Sequence, residues 1–192
     1  MLNRKVLLGF SCLLAVAALA FAVHARATAH LTHPPADAQA KASPRCSTAE
    51  YHQLDFWLGD WDAYDVSDQK TVAARLKVTP VVGGCALQED YQQFDGMKGW
   101  SFSGYDAHAG GWHQNWVTNG GTWLFMNGKF QDGTMVLIAT EHKASGDALM
   151  RSSWKAVDGN VREWADESTD NGATWTPMFD MIFKPHQAVN GQ

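Results

Sequence analysis

The chain has 192 residues, of which 45% are apolar and 18% charged, with nine Trp, 17 Gly and six Pro. That length suits one domain with or without a leader, and it can bury most of its apolar surface without a structural metal or a dense disulfide net. The composition excludes collagen, coiled coil and wholesale disorder, and the formal net charge is −5.

Residues 1–29 read as a secretory signal peptide. Arg4 and Lys5 form a short basic region, and Val6 to Val23 is an uncharged run of mainly Leu, Ala, Val and Phe. Ala25-Arg26-Ala27 and Ala27-Thr28-Ala29 both fit an A-x-A cleavage rule. An uncleaved anchor is the rival reading, because the run is nearly long enough to span a bilayer. Cys12 lacks the Leu that a lipobox requires three residues earlier, where Gly9 stands. Cleavage after Ala29 removes Arg4, Lys5 and Arg26 and leaves 12 cations against 20 acids, net −8. Such a domain repels phosphate backbones and anionic headgroups, so neither a nucleic-acid partner nor a membrane surface is expected after cleavage. The expected compartment is the periplasm or the exterior of a bacterium.

Residues 30–47 are rich in His, Pro, Ala and Ser and read as a flexible N-terminal arm. His30 and His33 alone do not make a metal site, and none is expected. Cys46 and Cys85 remain after cleavage. In an oxidising compartment they are expected to form one disulfide, closing a loop of about 40 residues and contributing about 3–4 kcal/mol. Two inert buried thiols are the alternative.

The segment Thr48 to Leu58 is the one helix candidate, with Ser47 as N-cap, Glu50 three residues later and Gly59 as the stop. Beyond it, turn signals recur about every ten residues. They are Asp68-Gln69, Gly83-Gly84, Asp95-Gly96, Ala109-Gly110, Asn119-Gly120, Asp132-Gly133, Ser145-Gly146, Asp158-Gly159 and Asn171-Gly172. The segments between them are rich in Trp, Phe, Val, Ile and Thr, which favour strands. Ten strands are expected near 60–67, 71–79, 85–93, 98–105, 111–118, 121–131, 134–143, 148–157, 160–168 and 174–184. Closing an all-β, antiparallel, up-and-down meander of this kind into a barrel removes its edges. A two-sheet sandwich is the alternative, but uniformly short hairpins argue against Greek-key crossovers. The barrel domain is expected to span 48–186.

A two-residue turn at Asn119-Gly120 sets Trp116 opposite Trp123 and Gln114 opposite Phe125, with Trp112 on the same face. That face is expected to be the interior. The Asp132-Gly133 hairpin then leaves Leu124, Met126, Met135 and Leu137 outside, which is too apolar for water unless a bulge at Gly128 flips the face. The Asp158-Gly159 hairpin sets Arg151 opposite Asp166 and Trp154 opposite Glu163. Glu163 and Glu89 are both candidate interior carboxyls, whose pKa values an apolar wall would raise.

Asp55-Phe56-Trp57-Leu58-Gly59-Asp60-Trp61 resembles the D-F-W-L-G-x-W opening of a large bacterial family of exported, lipocalin-like proteins. Gly83 to Glu89 is similar to that family's G-G-C-A-L-x-E, and Trp112 to Val117 to its W-x-Q-x-W-V. Ser168 to Trp175, with Phe179-Asp180, is similar to its closing hairpin. The resemblance covers about residues 50–184. It implies a ten-stranded calycin-like barrel distantly related to nitrobindins and fatty-acid-binding proteins, and no settled activity. Nitrobindins hold haem through a late-strand His. The late His in this chain is His186, past the last expected strand and after Pro185, so no cofactor is expected. The closing hairpin also fits the S-x-D-x-G-x-x-W turn of sialidase propellers, but one copy cannot build a propeller.

No Walker loop, G-x-S-x-G, HExxH or zinc-type Cys/His set is present. The main expectation is a barrel binding a small hydrophobic or aromatic molecule, with Trp112, Trp116, Trp123 and Phe125 as its wall and Gln114 and Glu89 as polar anchors. The same side chains would otherwise simply fill the barrel. A second reading is an enzyme using Glu89 or Glu163 as base, with His142 or Arg151 as partner. A third is an envelope interaction module presenting Met135 to Ala139.

Overall fold

The structure, a computed structural model, describes residues 46–187. The expected signal peptide and nearly all of the arm, with His30 and His33, lie outside the described residues. Ten strands follow in chain order: β1 (Gly59–Asp65), β2 (Ala74–Val81), β3 (Ala86–Gln93), β4 (Lys98–Asp106), β5 (Gly111–Thr118), β6 (Trp123–Gln131), β7 (Thr134–Lys143), β8 (Gly146–Val157), β9 (Asn160–Ser168) and β10 (Thr176–Pro185). Each pairs antiparallel with the next, and β10 pairs with β1, so the meander closes into a barrel. Among the described residues no helix is long and apolar enough to cross a membrane.

The turns set the registers. Asp132 and Gly133 both adopt positive φ, as do Asp158 and Gly159. These are the two-residue hairpins that match the twist of antiparallel strands. They pair Gln131 with Thr134 and Val157 with Asn160, as the sequence implies. The turn after β5 is different. Thr118 N–H donates to the Thr122 carbonyl, and the positive φ falls on Gly121 rather than on Asn119 or Gly120. The loop therefore holds three residues, with Gly121 as the left-handed one. Asn119 is recruited by the neighbouring hairpin instead. Its side chain accepts from Lys98 N–H and donates to the Gly96 carbonyl, at 2.9 and 3.0 Å.

The extra residue shifts the β5–β6 register by one. Gln114 faces Met126 and Trp116 faces Leu124. Leu124, Met126, Met135 and Leu137 are therefore buried inside, while Trp123 and Phe125 point outward, 60% and 61% exposed. This corrects the expected facing of β6 and β7 without a bulge, for β6 and β7 pair in unbroken register from Asn127–Ile138 to Gln131–Thr134.

One end of the barrel is plugged by the segment before β1. It forms two short 3-10 turns, Ala49–His52 and Asp55–Trp57, in place of the expected single helix. Spacing explains this. Tyr51, Leu54 and Trp57 recur every three residues, which aligns them on one face of a 3-10 turn. Leu54 and Trp57 are buried, and Tyr51 meets Tyr105 edge-on at 5.3 Å. Trp57 stacks on Trp61 and meets Phe183 edge-on, and Trp61 Nε1 donates to the Trp57 carbonyl at 3.0 Å. Gly59 lies under this pair. A Cβ there would stand 2.9 Å from the Trp61 indole, and its φ is +154°. The segment Asp55 to Trp61 thus builds a plug.

Cys46 and Cys85 are joined by a disulfide, with Cα atoms 5.2 Å apart. It ties the incoming chain to the start of β3 at the plugged end and fits folding in an oxidising compartment. Between β9 and β10, Asp170 accepts from the Ser168 and Thr174 hydroxyls and from Thr174 N–H, and Trp175 Nε1 donates to the Gly172 carbonyl. The hydrogen bonds from Thr174 and Ser168 hold the Asp170 carboxyl down at about 2.

Candidate functional site

Between the plug and the opposite end lies a cavity of about 380 Å³. Asp65, Ala73, Gln93 and Met97 stand near its mouth, where β1 turns into β2 and β3 into β4. Its wall carries Met126, Met150, Met181, Phe179 and Phe183, together with Trp116, Trp154 and Tyr91. The volume is in the range of a small-molecule site, and the wall is mostly apolar with few polar groups.

Away from the mouth those polar groups, Glu89, Gln114, Ser152 and Glu163, come from four strands. Glu89 on β3 is 8% exposed, and its Oε2 accepts from the Ser101 hydroxyl of β4 at 2.8 Å. Gln114 on β5 donates from Nε2 to Ser103 at 2.8 Å and more weakly to Ser101 at 3.4 Å. Glu163 on β9 lines the same cavity opposite its cross-strand neighbour Trp154. Burial pushes the Glu89 carboxyl up to about 7, against the lowering effect of Ser101, and the charge of Asp90 adds to the rise. Burial also raises Glu163 well above the usual carboxylate value. The nearby Glu89 charge adds to the rise, and the Trp154 indole offsets part of it. Each carboxyl thus resists ionisation, because the wall solvates charge poorly. Tyr91 is raised in turn by its burial and by both Glu charges.

Trp116 is held by what lies beneath it. Its indole meets the Tyr91 ring edge-on at 5.9 Å, and it covers Gly99 of β4 so closely that a Cβ there would meet the ring at 2.2 Å. Only glycine leaves this space open.

The residues expected from sequence divide clearly. Glu89, Gln114 and Trp116 line the cavity. Trp112 shares their interior face but packs beneath the plug, where its Nε1 donates to Gln53 Oε1 at 2.9 Å. Trp123 and Phe125 are on the outside and cannot form its wall, because the three-residue loop reverses the facing of β6. Sequence reasoning missed Met126 for the same reason, and missed Met150 as a cavity residue. Strand alternation carries the signal: Tyr91 shares the inward face of Glu89, two residues away, and Met150 is four from Trp154.

The expected acid–base partners are elsewhere. His142 is largely exposed and bonded to Asp147, and Arg151 is paired with Asp166 at 2.9 Å and lies over the Trp175 ring. Among the described residues no histidine lines the cavity, so they do not fit a haem held by an axial imidazole. His186 sits outside, with its Nδ1 2.9 Å from Asp62. Met135, Leu137 and Ala139 are interior, so the expected interaction surface on β7 is withdrawn. The apolar outer face lies instead on β4–β6. There Trp100, Phe102, Trp123 and Phe125 are all exposed, and a shallow groove runs past Trp100, Val117 and Trp123.

No family model and no curated protein matches the chain.

Proposed function

We propose that this protein is an exported, lipocalin-like carrier that holds a small hydrophobic or aromatic molecule inside its barrel. The observation that carries the reading is the cavity between the plug and the open end, walled by Met and aromatic side chains. A fully packed barrel would have side chains filling that space. The disulfide supports export, and the calycin-like lineage rests on the ordered motifs and on the ten-stranded meander they occupy. Three of those motifs fall on the plug, on the wall strand β3 and on the wall strand β5.

The test is a titration with N-phenyl-1-naphthylamine, followed by its fluorescence. One saturable site is expected in the wild type and in Trp123→Ser. Binding should be lost in Ser152→Phe, which fills the cavity from β8. Binding that survives Ser152→Phe and disappears in Trp123→Ser contradicts the carrier reading.

The exposed aromatic face of β4–β6 favours a second reading, an envelope interaction module. Sedimentation at rising concentration would then show self-association that Trp123→Glu removes.

A further inference from the structure

The cavity's charge is one-sided. Glu89 and Glu163 face it from β3 and β9, Asp65 stands at its mouth, and among the described residues no Lys, Arg or His lines it. A carboxylate out of water needs a counter-charge or a full set of hydrogen bonds. Neither carboxyl has them. Glu89 is 8% exposed, and Ser101 satisfies Oε2 while Oε1 has no hydrogen-bond partner among the described residues. The Trp154 indole gives Glu163 a partial hydrogen-bond partner and no counter-charge. Glu163 is the fourth residue of β9, counted from the plugged end, and Glu89 the fourth of β3. On the outer surface Asp166 is paired with Arg151 and Asp180 with Arg162. The interior pair has no such base among the described residues.

We propose that the ligand is an amphipathic amine, whose ammonium group is held between Glu89 and Glu163 and whose apolar body lies against Met126, Met150 and Met181. This rests on the carrier reading above and names its ligand class. An ammonium supplies both the counter-charge and the N–H donors that the two carboxyls lack. The Tyr91, Trp116 and Trp154 rings beside them attract a cation through their faces. A fatty carboxylate or a phosphate would meet two acids and no base, so the site selects against anions by charge as well as for cations.

A matched series tests this: 1-naphthylmethylamine, 1-naphthylmethanol and 1-naphthoic acid, each titrated calorimetrically at pH 7.5. The amine is expected to bind at least ~10-fold more tightly than the alcohol, and the acid most weakly. In the double variant Glu89→Gln, Glu163→Gln the amine should lose its advantage over the alcohol, with circular dichroism confirming the fold. Equal or tighter binding of the alcohol or the acid in the wild type overturns the proposal and leaves the carrier reading standing. So does an amine advantage that persists in the double variant. Failure of all three compounds to bind overturns the carrier reading and this proposal with it.

Discussion

The indole of Trp116 rests on the bare backbone of Gly99, so that a Cβ built at Gly99 would stand 2.2 Å from the ring. The contact spans β4 and β5, and Trp116 is part of the cavity wall. Gly99→Ala is therefore expected to displace the indole, at a cost of about 2 kcal/mol from overpacking. Urea unfolding measures the loss, and a change in Trp emission of the folded state reports the displaced ring. Wild-type stability in the alanine variant would contradict the packing described.

The register of β6 makes a paired prediction. Trp123→Ser changes an outward ring and should alter stability by no more than about 0.5 kcal/mol. Leu137→Ala empties a fully buried site and should cost about 3 kcal/mol. Chemical denaturation of the two variants checks both, and the reverse order would restore the two-residue reading of the Asn119 turn.

Glu89 gives stability a pH dependence of known sign. Its pKa in the folded chain is raised from 4.5 to about 7, so the folded state holds a proton that the unfolded state has released. Stability is full below about pH 4.5 and falls as pH rises through 7, by about 3 kcal/mol from this group. Glu163, raised in the same direction, adds to the fall. Urea unfolding at pH 5 and pH 8 should show the loss in the wild type. Glu89→Gln should shrink it, making the variant the more stable protein at pH 8. Identical slopes in the two proteins would contradict the burial of this carboxyl.

The disulfide spans 39 residues in sequence. Paired replacement of Cys46 and Cys85 by Ser should cost about 4 kcal/mol by chain entropy. The loss should appear in unfolding of the variant, and the reducing agent that weakens the wild type should leave the variant unchanged.

Much of the fold can be read from local chemistry, because this barrel is built of neighbouring hairpins. Asp-Gly at 132–133 and 158–159 adopts the left-handed geometry those residues favour, and the registers follow. Asn119-Gly120 looks the same in sequence but is followed by a second glycine. Its side chain is bound by Lys98 and Gly96, which belong to another hairpin. That tertiary claim on Asn119 is invisible locally, and one shifted residue exchanges Trp123 and Phe125 for Leu124 and Met126 on the interior face. The plug is legible as a short helical segment with large side chains; that it forms two 3-10 turns follows from the three-residue spacing of Tyr51, Leu54 and Trp57. Of the site, Glu89, Gln114 and Trp116 follow from strand alternation alone. That Glu89 and Glu163 face one cavity does not, because β3 and β9 are brought around the same interior only by closure of the barrel.

The most direct test of the carrier reading uses the methionines as reporters. Met126, Met150 and Met181 line the cavity, Met135 is buried outside its lining, and Met178 is on the surface. With 13C-methyl methionine, proton–carbon spectra should be recorded as N-phenyl-1-naphthylamine is added. The Met126, Met150 and Met181 methyls are expected to shift and saturate together, with Met135 and Met178 unmoved. Probe fluorescence that rises while those three methyls stay still would place the binding outside the barrel and contradict a carrier role for the cavity.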